Sequence, residues 1–288
     1  MTISIHTFRK MNGLGNDFAV FDTRGSGFAL SNAQAKRIAD RKNGIGCDQI
    51  IEIRHSDSAD VFMRILNADG SEVDACGNAT RCVAALLSEE KSRGDVVIET
   101  GAGLLACVTN PDGTVTVDMD APRLEWSEIP LARPFPDTVS LDVSFDGGRG
   151  GPLRDPGAVN VGNPHAVFFV ENADAYDLTE IGPRIEHDPL FPEAVNTSLA
   201  HILSRNAIRL RVWERGAGAT KACGTAACAA AVAAIRKGLT DRKVTVSLPG
   251  GDLDIEWRAE DGHILMTGPW TLDYEGIYEL ADAESVTA

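Results

Sequence analysis

Polar and apolar residues alternate in two stretches, Val61-Phe62-Met63-Arg64-Ile65-Leu66 and Ile208-Arg209-Leu210-Arg211-Val212-Trp213, and that period of two predicts half-buried strands. IHTFRKM, from Ile5, and HAVFFVE, from His165, read as strands from their aromatic and β-branched content. Each alternating stretch leads into a polar loop containing glycine, NADGSEVDACGN or ERGAGATKACGT, and then into a helix, ATRCVAALLSEEKSRG or AACAAAVAAIRKG. Basic residues followed by glycine predict where both helices stop. Strands return afterwards: DVVIET and TVTVDM after the first helix, KVTVSL and LDIEW after the second. The second helix has no polar face before Arg236, so it must be covered on every side. The expected fold is α+β, with a curved mixed or antiparallel sheet wrapped around a central apolar helix, twice.

The two halves repeat. Ala75-Cys76-Gly77 and Ala79 recur as Ala222-Cys223-Gly224 and Ala226 at an offset of 147, close to half of the 288 residues. The same offset carries Gly15-Asn16 onto Gly162-Asn163 and Ala19-Val20-Phe21 onto Ala166-Val167-Phe168. It also sets Arg64 against Arg211, Gln49 against Asn196 and Asn67 against Glu214. Matches clustered around the cysteines and around Asn16 argue for two copies of one unit, each of roughly 140 residues; a period this long means duplicated domains and not a solenoid. The expected domains are 1–122, completed by a C-terminal strand at about 270–284, and 123–269. The Pro- and Gly-rich run from Pro122 to Gly151 reads as the connection.

Composition narrows the classes of function. With 43% hydrophobic and 24% charged residues the chain is globular, and a net charge of −15 argues against binding a nucleic-acid backbone. The N-terminus lacks the apolar core of a signal peptide, and no segment approaches the ~20 apolar residues of a membrane span. A cytoplasmic protein with no membrane or nucleic-acid partner is expected. A homodimer is a candidate assembly that the sequence does not decide.

Six cysteines are too few for a disulfide scaffold, and no C-x-x-C spacing favours zinc, so no metal is expected. Cys47, Cys82, Cys107 and Cys228 read as core filler. Cys76 and Cys223 differ, because each lies at the turn into a buried helix. Unpaired N–H groups and the positive helix end there favour a thiolate or a bound carboxylate, and can lower a thiol pKa. Pseudo-twofold domains would bring both helix ends to one cleft, the expected active site. Two acid/base groups on opposite faces of one carbon suit inversion of a stereocentre: one takes the α-proton and the other returns one. The substrate carboxylate, held by helix N–H groups, accepts the developing enolate charge. Such chemistry needs no cofactor.

The runs MNGLGNDF, NADGSEVDACGN, GNPHAVFF, ERGAGATKACGT and LPGGDLDI, in this order, resemble the diaminopimelate epimerase family over nearly the whole chain. The resemblance implies epimerisation of LL- to meso-2,6-diaminopimelate in lysine and peptidoglycan precursor synthesis, without pyridoxal phosphate. It implies Cys76 and Cys223 as the acid/base pair, with Cys223 accepting from the LL substrate and Cys76 donating. It also implies substrate binding by Asn16, Gln49, Asn67, Asn163, Asn196, Glu214 and Arg215, and helix N-termini presented by Gly77, Asn78, Gly224 and Thr225. His165 and Glu214 would tune the thiols. Independently of the family, Arg215 suits a distal carboxylate as a fork donor.

The chain departs from common family patterns at Ala79, at Gly218-Ala219-Thr220-Lys221 and at Thr197-Ser198. Two alternatives remain. A proline or hydroxyproline racemase shares the paired-cysteine plan, but would be expected to carry a Cys-Gly-His-Gly type first motif and would leave Arg215 without a distal group. A redox or metal-binding thiol module explains the cysteines but not the co-registered polar positions.

Overall fold

The structure, a computed structural model, describes residues 3–26 and 28–281. The described residues form two compact units, one within Met1–Val117 and Pro269–Ala288, the other Asp118–Gly268.

The first unit begins with β1 (Ile3–Gly13), β2 (Asn16–Asp22), α1 (Asn32–Ala39), β3 (Gln49–Arg54), β4 (Val61–Asn67) and β5 (Glu72–Val73). It continues through α2 (Gly77–Lys91), β6 (Asp95–Thr100), β7 (Gly103–Thr109) and β8 (Val115–Asp118). The second contains β9 (Ser144–Phe145), β10 (Leu153–Arg154), β11 (Gly157–Asn160), β12 (Pro164–Phe169), α3 (Leu178–Glu186), β13 (Asn196–Ser204), β14 (Ala207–Glu214) and β15 (Gly218–Ala219). After it come α4 (Gly224–Arg236), β16 (Lys243–Leu248), β17 (Gly251–Trp257) and β18 (Ile264–Gly268). The last strand, β19 (Thr271–Ala281), returns to the first unit and lies antiparallel to β1. Residues 282–284 of the strand expected there lie outside the described residues.

The α+β class expected from sequence is what the structure has, and the repeat extends to strand pairing. β2 runs parallel to β3, β3 antiparallel to β4 and β4 parallel to β6; β12, β13, β14 and β16 pair in the same senses. Even the register is shared: Phe18 pairs with Gln49 as His165 pairs with Asn196, and Ile50 pairs with Leu66 as Thr197 pairs with Trp213.

In each unit the strands pack around a helix. α4 is buried from Ala226 through Ala234, against β11–β14 and β16–β18. Its alanine run has a steric reason: a Cβ added at Gly157 on β11 would lie 3.1 Å from the Ala233 Cβ, so only small side chains let strands close around the helix. α2 buries Asn78 through Ala85 in the same way, and includes a fully buried arginine, Arg81. The helix ends differ from expectation in the first unit. α2 stops at Lys91, where Ser92 takes a left-handed conformation (φ 51°) ahead of Gly94, and its N–H reaches the Glu89 carbonyl. Packed on β3 and β4, α1 begins after its N-cap Ser31, which forms a reciprocal capping box with Gln34.

The run from Pro122 to Gly151 is more than a connection. Ile129, Leu131, Phe135 and Leu141 are buried in one apolar cluster with Leu178, Ile181 and Ile185 of α3. Their spacing follows neither helix nor strand, which hid them in the sequence; as irregular chain they pack with Ala158, Ala166, Phe168 and Leu199 of β11–β13.

Candidate active site

Both helices start at a cysteine. Cys76 (φ −149°, ψ 106°) and Cys223 (φ −135°, ψ 112°) are the N-cap residues of α2 and α4, extended in backbone, and neither side chain caps its own helix. Their carbonyls accept the first helical bonds, from Thr80 N at 2.9 Å and Ala227 N at 3.1 Å. Each sulfur therefore stands beside first-turn amides that have no helical acceptor. Glycine follows at Gly224 because a Cβ there would come 2.8 Å from the Met266 sulfur.

Around Cys76, Asn16 Oδ1 lies 3.7 Å from the sulfur and accepts from Asn78 Nδ2 at 3.3 Å. Asn16 Nδ2 donates to Asp48 at 3.1 Å, and Arg41 binds both Asp48 and Asp17. Burial raises the Asp17 pKa, but its bonds to Arg41 and Lys10 outweigh this and hold the carboxyl well below the usual range. Gln49 and Asn67 face each other across β3 and β4, with Gln49 Nε2 donating to Asn67 Oδ1 at 2.9 Å; Gln49 Oε1 is buried without a hydrogen-bond partner.

Around Cys223 the environment is drier. The residue is 5% exposed, with its sulfur 3.4 Å from Thr225 Oγ1. Burial pushes the thiol well above its ordinary pKa, and the neighbouring Glu214 carboxylate pushes it further. The helix end was expected to lower that pKa; loss of hydration outweighs it here. Glu214 is itself raised by burial, against hydrogen bonds from Thr220 and Cys223.

His165 is wholly buried and held down to about 3 by burial, with the Arg215 charge adding to the effect, so its imidazole is neutral. Its Nε2 pairs with Asn163 Oδ1 at 2.7 Å, which makes Nε2 the protonated nitrogen and leaves Nδ1 a bare, buried acceptor. Asn196 is 2% exposed and bonded to backbone on both sides, donating to the Pro164 carbonyl at 2.9 Å and accepting from Arg215 N at 3.0 Å. Arg215 is exposed, its guanidinium donating to the Glu193 carbonyl at 2.9 Å, on the wall of a cavity of about 430 Å³ that Arg123, Asn160 and Pro164 also line.

Within its own copy, then, each cysteine gathers its expected neighbours: Asn16 and Asn78 at Cys76, Glu214 and Thr225 at Cys223. Asn163, His165, Asn196 and Arg215 form a second cluster in the second unit. Three supporting residues carry no sequence signal of their own. Arg81 Nη2 donates to Asn78 Oδ1 at 2.9 Å, Asp48 turns the Asn16 amide, and Glu186 accepts from Trp213 and Gly216. At the departures Thr197 and Ser198, both hydroxyls are buried without hydrogen-bond partners, and the structure gives no physical account of them.

Comparison with known proteins adds an independent line. The family model "Diaminopimelate epimerase" matches residues 8–125 and 157–272, most of both repeats. The diaminopimelate epimerase of Phenylobacterium zucineum is 54% identical over 269 residues, covering 93% of this chain and 96% of its own. That of Erythrobacter litoralis is 52% identical over 277 residues, covering 96% and 98%. Among solved structures, a Bacillus anthracis phenazine biosynthesis protein of the PhzF family superposes with a TM-score of 0.67 at 17% identity, over 96% of this chain and 99% of that one. A hydroxyproline epimerase from Agrobacterium vitis gives a TM-score of 0.66 at 15% identity, over 96% and 93%. At such low identity these two establish the fold alone. The family match across both cysteine motifs, with relatives of more than half identity along nearly the full length, establishes that the chain belongs to the diaminopimelate epimerase family.

Proposed function

We propose that the chain interconverts LL- and meso-2,6-diaminopimelate without a cofactor, using Cys76 and Cys223 as the two acid/base groups. The observation that carries the mechanism is the identical placement of both thiols as N-cap residues of buried helices. In the LL-to-meso direction Cys223 takes the α-proton. It must first lose its own proton, and Glu214, bonded to it and raised by burial, is the acceptor at hand. The α-carbon becomes planar as its carboxylate takes up charge, which the amides at the start of α2 and α4 stabilise. Cys76 then delivers a proton to the other face, and the roles exchange in reverse. Arg215, with Asn163 and Asn67, grips the second amino acid head, which distinguishes this substrate from a simple amino acid. Asn16, Gln49 and Asn196 complete the polar lining, directly or by holding their neighbours.

Among the described residues no helix is long and apolar enough to cross a membrane. We place the reaction in the cytoplasm because the mechanism needs free thiols, which that compartment maintains. For assembly we propose a homodimer through the β1–β19 pair, where Ile5 and Ile277, 65% and 66% exposed, lie diagonally on one face.

Proton NMR of LL-diaminopimelate in deuterated water tests the function. Enzyme should wash out the α-proton signal and generate the meso isomer; retention of both α-protons would refute the reading.

A further inference from the structure

Glu186, the last residue of α3, is 5% exposed, and its carboxylate is committed to two N–H groups from one short stretch of chain. Trp213 Nε1 donates to Oε2 at 2.7 Å and Gly216 N donates to Oε1 at 2.8 Å. These two donors bracket Glu214 and Arg215. The helix seats flush on the same indole, since a Cβ at Gly182 would lie 2.3 Å from the Trp213 ring.

Packing alone does not explain an acid here. A carboxylate at a helix C-terminus opposes the helix dipole, and burying it is unfavourable unless both oxygens are bonded. What only a carboxylate supplies is two acceptors with no donor, so that two N–H groups are satisfied together; a carboxamide of equal shape has one acceptor and sets an NH₂ against the other donor. Glu214 is already fixed by its strand pairing to Gly218, whereas Arg215 and Gly216 lie in the turn beyond, with Gly216 at φ 75°. The Glu186 bond to Gly216 therefore acts on the turn that carries Arg215.

We infer that Glu186 is a positioning residue for substrate binding, clamping the Trp213–Gly216 turn so that Arg215 is presented to the distal head of the substrate; this rests on the proposed function of Arg215. Because that contact is made before and during the reaction alike, the clamp belongs to KM and leaves kcat nearly unchanged.

The test compares Glu186→Gln, Trp213→Phe and the double variant for KM, kcat and hydrogen exchange at the Gly216 amide. Glu186→Gln is expected to raise KM for LL-diaminopimelate about tenfold to a hundredfold, the loss of one hydrogen bond to a charged group, and to speed Gly216 exchange. Trp213→Phe removes one donor, so in the double variant the single carboxamide oxygen can serve Gly216, and both KM and exchange should recover toward the Trp213→Phe values. Wild-type KM and Gly216 exchange in Glu186→Gln would overturn the clamp, as would a double variant that recovers neither. If Glu186→Gln does not fold, the double variant must fold and show the recovered exchange, or the inference is wrong. Should the wild-type chain fail to epimerise diaminopimelate, the proposed function falls, while the exchange measurements still decide the clamp.

Discussion

Asn16 turns its side-chain oxygen toward Cys76, at 3.7 Å from the sulfur, because Asp48 holds the amide nitrogen at 3.1 Å. Its repeat counterpart Asn163 is bound the other way, its oxygen taken by His165 Nε2 at 2.7 Å. An acceptor beside a sulfur favours the protonated thiol, whereas an asparagine whose oxygen is occupied has its NH₂ left to donate. Two copies that agree in strand register thus differ in the hydrogen-bond sense of equivalent side chains.

The thiols should accordingly react in order. In the ligand-free protein, iodoacetamide is expected to modify Cys76, which is partly exposed, before Cys223, which is 5% exposed and raised in pKa. Cys47 and Cys82, pushed up to about 11 and about 12 by burial, should stay unmodified. Peptide mapping over time checks the order, and early labelling of Cys223 would contradict it.

Replacing Glu214 by glutamine should separate acidity from catalysis. The Glu214 charge raises the Cys223 pKa, so Glu214→Gln is expected to make Cys223 alkylate faster at a given pH. Epimerisation should nonetheless fall by about 10²-fold, since the group that takes the thiol proton is gone. Slower alkylation with unchanged turnover would remove Glu214 from the mechanism.

Serine at either cysteine should abolish epimerisation by about 10²- to 10⁴-fold while leaving substrate affinity much less affected, because helix amides and Arg215 are untouched. Each variant keeps one thiol for one face of the α-carbon. A substrate analogue with a β-leaving group should therefore still undergo elimination in one of them. Near wild-type epimerisation by Cys76→Ser or Cys223→Ser would return that cysteine to core filler.

His165 carries a pH dependence of stability. Its pKa falls from 6.5 to about 3 on burial, so as pH drops below 6.5 the unfolded chain binds a proton that the folded chain refuses. Stability is fully present above the unfolded pKa and is lost on acidification, by about 1.4 kcal/mol per pH unit from this group. Glutamine keeps a donor for Asn163, so denaturant unfolding of His165→Gln should lack this limb between about pH 6.5 and 4.5. Parallel curves for both proteins would show that His165 is not held neutral.

The sequence revealed what depends on period and repetition. Helix α4 was legible because Ala226 through Ala234 offers no polar face, and the cysteine turns because they recur at one offset. Hidden were features fixed by tertiary contact. Ile129, Leu131, Phe135 and Leu141 are scattered among prolines and polar residues, so their shared burial shows no period. The short helix α3 contains Pro183, a residue type that disfavours helix interiors, and is held by packing. Arg81, Asp48 and Glu186 look like ordinary surface charges, since what distinguishes them is the amide or indole each one meets.

The pairing of β1 with β19 sets an order for folding during synthesis. Ile3 is matched with Ala281 and Asn12 with Thr271, so one edge of β1 stays unpaired until β19, which follows the whole of the second unit, has been made. The second unit, by contrast, is a continuous stretch from Asp118 to Gly268 whose ladders all close between residues already made. The later-encoded half can reach its native sheet first, and the earlier half must wait with an open strand edge. Contacts so distant in sequence close slowly, and an exposed edge is where chains adhere to one another. Truncation near the C-terminus therefore damages the beginning of the protein, not its end.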